Sequence, residues 1–133
     1  MSPAVGPYSP VRRVGDWVIT SGQVGVASDS TGVVRLVEGG TVAELRQVLV
    51  NVAEVLAVEG AALSDVVKTT VYLLDMSEFA AVNEVWVEYF TADRPTRSAV
   101  AVVALPAGAR VEVEAWAYAP LAAAPGGVPA PGR

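Results

Sequence analysis

Two charged residues in the last third of the chain have the types and spacing for simple hydrolytic chemistry. Arg97 opens an apolar segment that is typical of a strand, and Glu114 lies inside a second such segment, beyond a turn at 106–108. A guanidinium can hold a carboxylate through two parallel hydrogen bonds, and a carboxylate can orient or deprotonate water. The pair therefore predicts a small hydrolytic site. A plain salt bridge, between these two residues or between Arg110 and Glu112, explains the same pattern and remains an alternative at this point.

The composition restricts the chemistry further. The 133 residues include no His and no Cys, which excludes serine–histidine triads, thiolate nucleophiles and zinc–sulfur sites. An enzyme of this composition works with carboxylates, arginine, lysine, tyrosine, hydroxyls and backbone groups. Its substrate must then be an electrophile that water attacks readily.

Charge and hydropathy limit the kinds of binding partner and the cellular location that we expect for this chain. The net charge is −5 and the nine basic residues are scattered, so we expect no nucleic-acid surface. Residues 1–10 lack the apolar core of a signal peptide, and the longest uncharged run, 115–132, contains four prolines. We expect a soluble cytoplasmic protein with no membrane segment. Because 53% of the residues are hydrophobic, we also expect subunit contacts to cover apolar surface.

The elements that must position the charged pair can be predicted from periodicity and turn residues. Residues 11–22 suit a hairpin around a Gly15-Asp16 turn, and 33–36 and 66–74 suit strands. Residues 96–105 and 110–119 are predicted to be strands that pair with each other. In the predicted strand at 110–119, Glu112 and Glu114 share a face with Trp116. This mixture of charged and aromatic residues suggests that another subunit covers that face.

Two helices are predicted between these strands. The first begins with a capping box, Thr41 to Glu44, and ends near Glu59, where Gly60 is a natural stop. The second covers about 78–91. Two helices on one face of one mixed sheet make an α+β fold, a single domain over 1–119, followed by a flexible Pro/Gly/Ala-rich tail at 120–133.

Four further residues attract attention, and each has an ordinary structural explanation. Tyr8, within Gly-Pro-Tyr-Ser-Pro, can be an aromatic plug against the core, and Gly22 can mark a strand end or a bulge. Lys68 suits a solvated or edge position in its strand. Asn83 lies one residue beyond the apolar stripe of the second helix and would usually be exposed.

Six segments, in this order, resemble one known family. They are Gly-Pro-Tyr-Ser-Pro at 6–10, Thr-Ser-Gly-Gln at 20–23, Val-Val-Lys-Thr-Thr-Val-Tyr at 66–72, Phe-Ala-Ala-Val-Asn at 79–83, Arg-Pro-Thr-Arg-Ser at 94–98 and Arg-Val-Glu-Val-Glu-Ala at 110–115. Together they are similar to the Rid family, the reactive intermediate deaminases, also called the YjgF family.

The resemblance implies a chorismate-mutase-like fold assembled as a homotrimer, with active sites in clefts between subunits. It implies hydrolysis of small 2-imino acids and their enamine tautomers to 2-keto acids and ammonia, without metal or cofactor. It places the carboxylate-binding arginine on Arg97 and the glutamate that handles water on Glu114.

The resemblance also places the lining of the cleft on Tyr8, Ser21, Gly22 and Asn83, and we expect backbone groups near Ala99 to complete the substrate-binding pocket. One position departs from the family pattern, since Ala99 stands where archetypal members commonly carry a cysteine. That departure weakens the substrate assignment more than the fold.

Three functional hypotheses follow. The first is a deaminase of 2-iminopropanoate and 2-iminobutanoate, and the second is a divergent hydrolase of another imine or an aminoacrylate in a dedicated pathway. The third is a trimer that senses 2-keto acids or acts like a chaperone and no longer catalyses.

Overall fold

The computed structural model describes residues 6–121. Nearly all of the tail predicted at 120–133 lies outside the described residues. The described part holds eight strands and two α-helices, with short 3-10 turns at Leu63–Asp65, Met76–Glu78 and Pro106–Gly108. The strands are β1 Val11–Val14, β2 Trp17–Thr20, β3 Gln23–Val24, β4 Val26–Ser28, β5 Val34–Leu36, β6 Val66–Leu73, β7 Thr96–Ala101 and β8 Val111–Tyr118, and the helices are α1 Gly40–Val58 and α2 Phe79–Tyr89.

One mixed sheet carries the fold. Its strand order is β1-β2-β8-β6-β7, with β3 continuing the pairing of β2 along β8, while β4 and β5 form a separate hairpin. The predicted turn at Gly15-Asp16 is confirmed, because β1 and β2 pair antiparallel around it. The α+β prediction, with helices against a mixed sheet, is also confirmed.

The predicted pairing of the last two long strands is wrong. β6 lies between them, parallel to β7 and antiparallel to β8. Backbone hydrogen bonds extend both pairings just beyond the end of β6. Val102 N, after β7, donates to Leu73 O at 2.8 Å, and Leu74 N donates to Arg110 O, before β8, at 3.1 Å. β7 joins β6 through α2, the crossover that parallel neighbours require, and it ends at Ala101 instead of residue 105.

The predicted capping box of the first helix is also wrong. Gly39 is the N-cap residue, and Glu44 turns inward, where it is fully buried. Its carboxylate accepts from Arg110 N at 2.8 Å and from Arg110 Nη1 at 3.0 Å. Glu44 therefore ties α1 to the start of β8. The predicted stop is confirmed, since Gly60 follows the helix with φ of 77°.

The core fills the space between the helices and one face of the sheet. Both helices contribute buried apolar residues to it, opposite the inward residues of β6 and β8, in a cluster that includes Leu45, Val48, Leu49, Val52, Leu56, Val71, Leu73, Val82, Val85, Trp86, Val111, Val113, Ala115 and Ala117. Burial alternates strictly along β8, as its sequence predicts. No helix in the 6–121 portion is both long and apolar enough to cross a bilayer.

The opposite face of the sheet carries polar and aromatic residues instead. We call it the open face, defined by Lys68, Thr70, Tyr72, Glu112, Glu114, Trp116 and Tyr118. Trp17 joins it from β2, with its ring 6.1 Å from that of Trp116 and 5.1 Å from that of Tyr118. Trp116 is 41% exposed, so this aromatic cluster remains accessible in a single protomer.

Candidate active site

Arg97 lies on the helix side of the sheet. It is in register with Thr69, a buried residue of β6, so its side chain points toward α2. Nη2 donates to Asn83 Oδ1 at 2.7 Å, and the guanidinium carbon lies 5.2 Å and 5.1 Å from the ring centroids of Phe79 and Trp86. These cation–π contacts orient the group. Partial burial lowers the pKa of Arg97 from its usual value, because desolvation disfavours the charged form.

A pocket opens beside this arginine. Its volume is about 340 Å³, and it is lined by Asn83, Trp86, Val87, Arg94, Pro95 and Arg97. Since Asn83 holds only one guanidinium nitrogen, other N–H groups of Arg97 can donate to a ligand. Sequence reasoning singled out Asn83 and Arg97 but not Arg94, although Arg94 stands in the same Arg-Pro-Thr-Arg segment.

Ala99 lies on the same side of β7 as Arg97, in register with buried Val71. It is half-buried and packs against the hydrophobic core. A small apolar side chain therefore stands two residues beyond the arginine, and no thiol is available there.

Glu114 lies on the open face. It is in register with Thr70 of β6, and its Oε1 accepts a hydrogen bond from the Tyr72 hydroxyl at 2.5 Å. That bond, reinforced by burial of the hydroxyl and the nearby negative charges, raises the pKa of Tyr72 to about 12. Sequence reasoning missed Tyr72. The register between β6 and β8 could have indicated it. Thr70 is paired with Glu114, and Tyr72 lies two residues beyond Thr70, on the same face of the sheet.

Arg97 and Glu114 consequently face opposite sides of the same sheet. The β7 residue that shares a row with Thr70 and Glu114 is Ser98, whereas Arg97 shares its row with Thr69 and Ala115. An Arg97–Glu114 salt bridge within one protomer is therefore excluded. The alternative Arg110–Glu112 pair does not form either, because Arg110 is bound to Glu44.

A bulge beside Glu114 brings Gly22 against Glu112. Residues 20–22 lie opposite only Glu114 and Ala115, because β2 pairs up to Ile19 with Trp116 and β3 resumes at Gln23 with Val113. A Cβ on Gly22 would lie 2.7 Å from Glu112 Cδ, so only glycine allows this approach. The pKa of Glu112 is raised, mainly because the carboxylate is partly buried and secondly because of the negative charge of Glu114.

Ser21 fastens the N-terminal segment to this bulge. Its hydroxyl donates to Ser9 O at 2.6 Å, and its backbone N donates to Pro10 O at 2.9 Å. Tyr8, in the segment so held, is 46% exposed, so the interpretation of Tyr8 as a plug in the core is wrong. Lys68 is exposed as predicted, although β6 is a central strand, and its Nζ lies 5.7 Å from the Trp116 ring centroid.

Apart from the exposed Tyr8, the predicted site residues thus fall into two groups. Asn83, Arg97 and Ala99 are together on the helix side of edge strand β7. Ser21 and Gly22 border Glu114 at the bulge, with Tyr72 and Glu112 added by the structure. The two groups do not meet within one protomer.

Comparison with known proteins agrees with this fold. The family model described as Endoribonuclease L-PSP matches residues 1–119. The 2-iminobutanoate/2-iminopropanoate deaminase of Mus musculus is 47% identical over 114 residues, which are 86% of this chain and 82% of the mouse protein.

Two solved structures extend the comparison. RidA from the Antarctic bacterium Psychrobacter sp. PAMC 21119 is 42% identical, with a TM-score of 0.80 over 87% of this chain and 91% of the other. TdcF of E. coli with bound serine is 35% identical, with a TM-score of 0.76 over 86% and 90% of the two chains. The match spans the whole sheet and both helices. The chain belongs to the endoribonuclease L-PSP family, which is the Rid or YjgF family.

Proposed function

We propose that this protein hydrolyses small 2-imino acids and their enamine tautomers, such as 2-iminopropanoate and 2-iminobutanoate, to 2-keto acids and ammonia. The observation that carries the proposal is Arg97, a cation oriented by Asn83 and two aromatic rings at a pocket of about 340 Å³. Such a guanidinium suits the carboxylate of an imino acid. The mouse relative, 47% identical, bears the name of this activity.

The active site would be shared between two protomers of a chorismate-mutase-like homotrimer. One protomer would supply Arg97, Asn83 and Ala99, and its neighbour Glu114, Tyr72 and the Ser21-Gly22 bulge. The opposite orientations of Arg97 and Glu114 support this division. The exposed aromatic cluster on the open face supports an interface there, since accessible Trp and Tyr rings are typical of protein contacts.

The chemistry needs only water in addition to the substrate. Arg97 would hold the carboxylate and so fix the neighbouring imine carbon, and positioning of this kind can lower a barrier by about 7–11 kcal/mol when the alignment is ideal. Glu114 would take a proton as the water oxygen bonds to the imine carbon and the C=N electron pair moves to nitrogen.

Return of that proton to nitrogen gives a neutral carbinolamine. Transfer of the hydroxyl proton to the amine then lets the C–N bond break, which releases ammonia as the C=O bond forms. Tyr72, bonded to Oε1 of Glu114, would keep the carboxylate in one orientation during both transfers.

An RNA-cleaving role, which the name of the endoribonuclease L-PSP family suggests, is less well supported. The chain has a net charge of −5, nine basic residues and no histidine. A surface that follows phosphates requires clustered positive charge, and general acid–base cleavage most often uses imidazole.

The decisive assay follows the decay of 2-iminobutanoate generated in situ, with and without the protein. We expect acceleration by the wild type, loss of that acceleration in Arg97→Ala, and wild-type behaviour of Arg35→Ala, which removes an exposed arginine paired with Asp29. Activity confined to a bulkier imine would favour the divergent hydrolase. No acceleration with any imine, together with saturable binding of 2-keto acids, would favour the non-catalytic sensor.

A further inference from the structure

The pocket at Arg97 contains a second arginine. Arg94 lines the same 340 Å³ volume, and only Pro95 and Thr96 separate the two along the chain. Its Nε donates to Phe90 O at 2.8 Å, just beyond the end of α2. One edge of the guanidinium is therefore anchored, and its terminal N–H groups are not used by that bond. The adjacent proline, with its fixed φ, restricts the backbone between the two arginines further.

The positive charge in this pocket is not neutralised by its own walls. The six lining residues include two guanidiniums and no carboxylate. Each arginine is held by neutral groups: Arg97 by an amide and two aromatic rings, and Arg94 by a backbone carbonyl. The nearby carboxylate of Glu88 is bound to both terminal nitrogens of Arg46, at 3.0 Å each.

Within the described residues of one protomer, no carboxylate pairs with either arginine of this cavity, which favours a ligand with two anionic groups. A single carboxylate held by Arg97 leaves Arg94 without an anionic partner, whereas a second acidic group on the same ligand would give each guanidinium one. The volume lies at the lower end of the range for small-molecule sites, which suits a short-chain diacid.

We propose that this pocket selects 2-imino acids, and the corresponding 2-keto acids, that carry a second acidic group at the far end of the chain. Arg97 holds the carboxylate next to the reacting carbon and Arg94 holds the distal one. This inference rests on the proposed function for the role of Arg97. It makes Arg94 the specificity-determining residue.

Binding calorimetry with 2-oxoglutarate and 2-oxobutanoate tests the inference without turnover. In the wild type we expect the diacid to bind at least about tenfold more tightly than the monoacid, the ratio that one added charge-assisted hydrogen bond typically supports. In Arg94→Gln the ratio should fall to about one. Arg35→Gln, which loses the same charge outside the pocket, should keep the wild-type ratio. Equal binding of the two acids by the wild type, or an unchanged ratio in Arg94→Gln, would overturn the inference.

The ratio also separates specificity from folding. A variant that disturbs the end of α2 would weaken both acids together and leave their ratio unchanged. Failure of the proposed function shows differently, as an absence of imine hydrolysis with any substrate. A protein that hydrolyses 2-iminobutanoate but binds both keto acids equally would keep the proposed function and lose the inference.

Discussion

Arg97 and Glu114 stand on opposite faces of one sheet, separated by strand β6. Arg97 shares a row with Thr69 and Ala115, and Glu114 shares the next row with Thr70 and Ser98. Because side chains alternate between faces along a strand, no rotamer change brings this pair together through the sheet. A site that uses both must take one from each of two protomers, and this relationship gives the sharpest prediction.

Mixing two inactive variants should restore activity. Protomers of Arg97→Ala and Glu114→Gln are each expected to be inactive alone. In a mixed form of the proposed homotrimer, one site of three joins an intact arginine to an intact glutamate. Random assembly from equal amounts should recover about a quarter of wild-type activity, measured as imine decay after joint refolding, by the cyclic symmetry of a trimer. Absence of any recovery in verified mixed trimers would place both residues in one subunit's site, against the register.

The Tyr72 hydroxyl should report on the charge of Glu114. Its pKa is raised to about 12, chiefly by the hydrogen bond to that carboxylate. In Glu114→Gln the negative charge is lost and the pKa should fall toward 10, measured by phenolate absorbance against Tyr72→Phe as the blank. Because the folded pKa exceeds the unfolded one, the folded state retains this proton. The contribution of Tyr72 to the free energy of unfolding is therefore complete below pH 10 and disappears as pH rises through 12.

A tyrosine titration that is identical in the wild type and Glu114→Gln would show that the two groups are not coupled.

Removal of the Glu44 carboxylate should destabilise the fold strongly. Glu44 is fully buried and satisfies both the backbone N–H and a guanidinium N–H of Arg110. Glu44→Ala removes the acceptor of that backbone N–H and opens a cavity, so we expect a loss of about 2–4 kcal/mol in the free energy of unfolding. Arg110→Ala should also cost about 2 kcal/mol or more, because it leaves the fully buried Glu44 carboxylate without its cation, even though the Arg110 side chain itself is 55% exposed.

Urea unfolding measures both effects, at a fixed protomer concentration because the stability of the proposed homotrimer would depend on concentration. A loss of under about 1 kcal/mol for either substitution would contradict the structural role of this pair.

Two glycines should respond differently to the same substitution. In Gly22→Ala the new Cβ meets the end of the Glu112 side chain, at 2.7 Å from Cδ, and that side chain can rotate away. In Gly25→Ala the Cβ meets backbone atoms of α1, at 2.7 Å from Glu44 O, and these cannot move independently. We expect a loss of under about 1 kcal/mol for Gly22→Ala and of about 2 kcal/mol or more for Gly25→Ala.

Gly22→Ala should nevertheless reduce imine hydrolysis, because it displaces the glutamate next to Glu114. Thermal unfolding and the imine assay together distinguish the two glycines. A Gly22→Ala protein with full activity would remove the bulge from the site.

Much of the fold follows from residues that are neighbours along the chain. The Gly15-Asp16 turn, the end of α1 before Gly60 and the alternating burial of β8 were predictable, because turn propensity, helix termination and strand alternation are local properties. The same applies to Arg97 and Glu114 as candidates, since their types and surroundings can be seen in the sequence.

Relationships between distant segments were not predictable in this way. The insertion of β6 between β7 and β8, and the inward turn of Glu44, depend on which arrangement satisfies the whole sheet and buries the whole core. The faces of Arg97 and Glu114, the bond from Tyr72 and the approach of Arg94 to the Arg97 pocket follow from that arrangement. Sequence alone thus determined which groups can do chemistry. Only the tertiary structure decided which of them meet, because strand order and register are settled by long-range packing that no local pattern encodes.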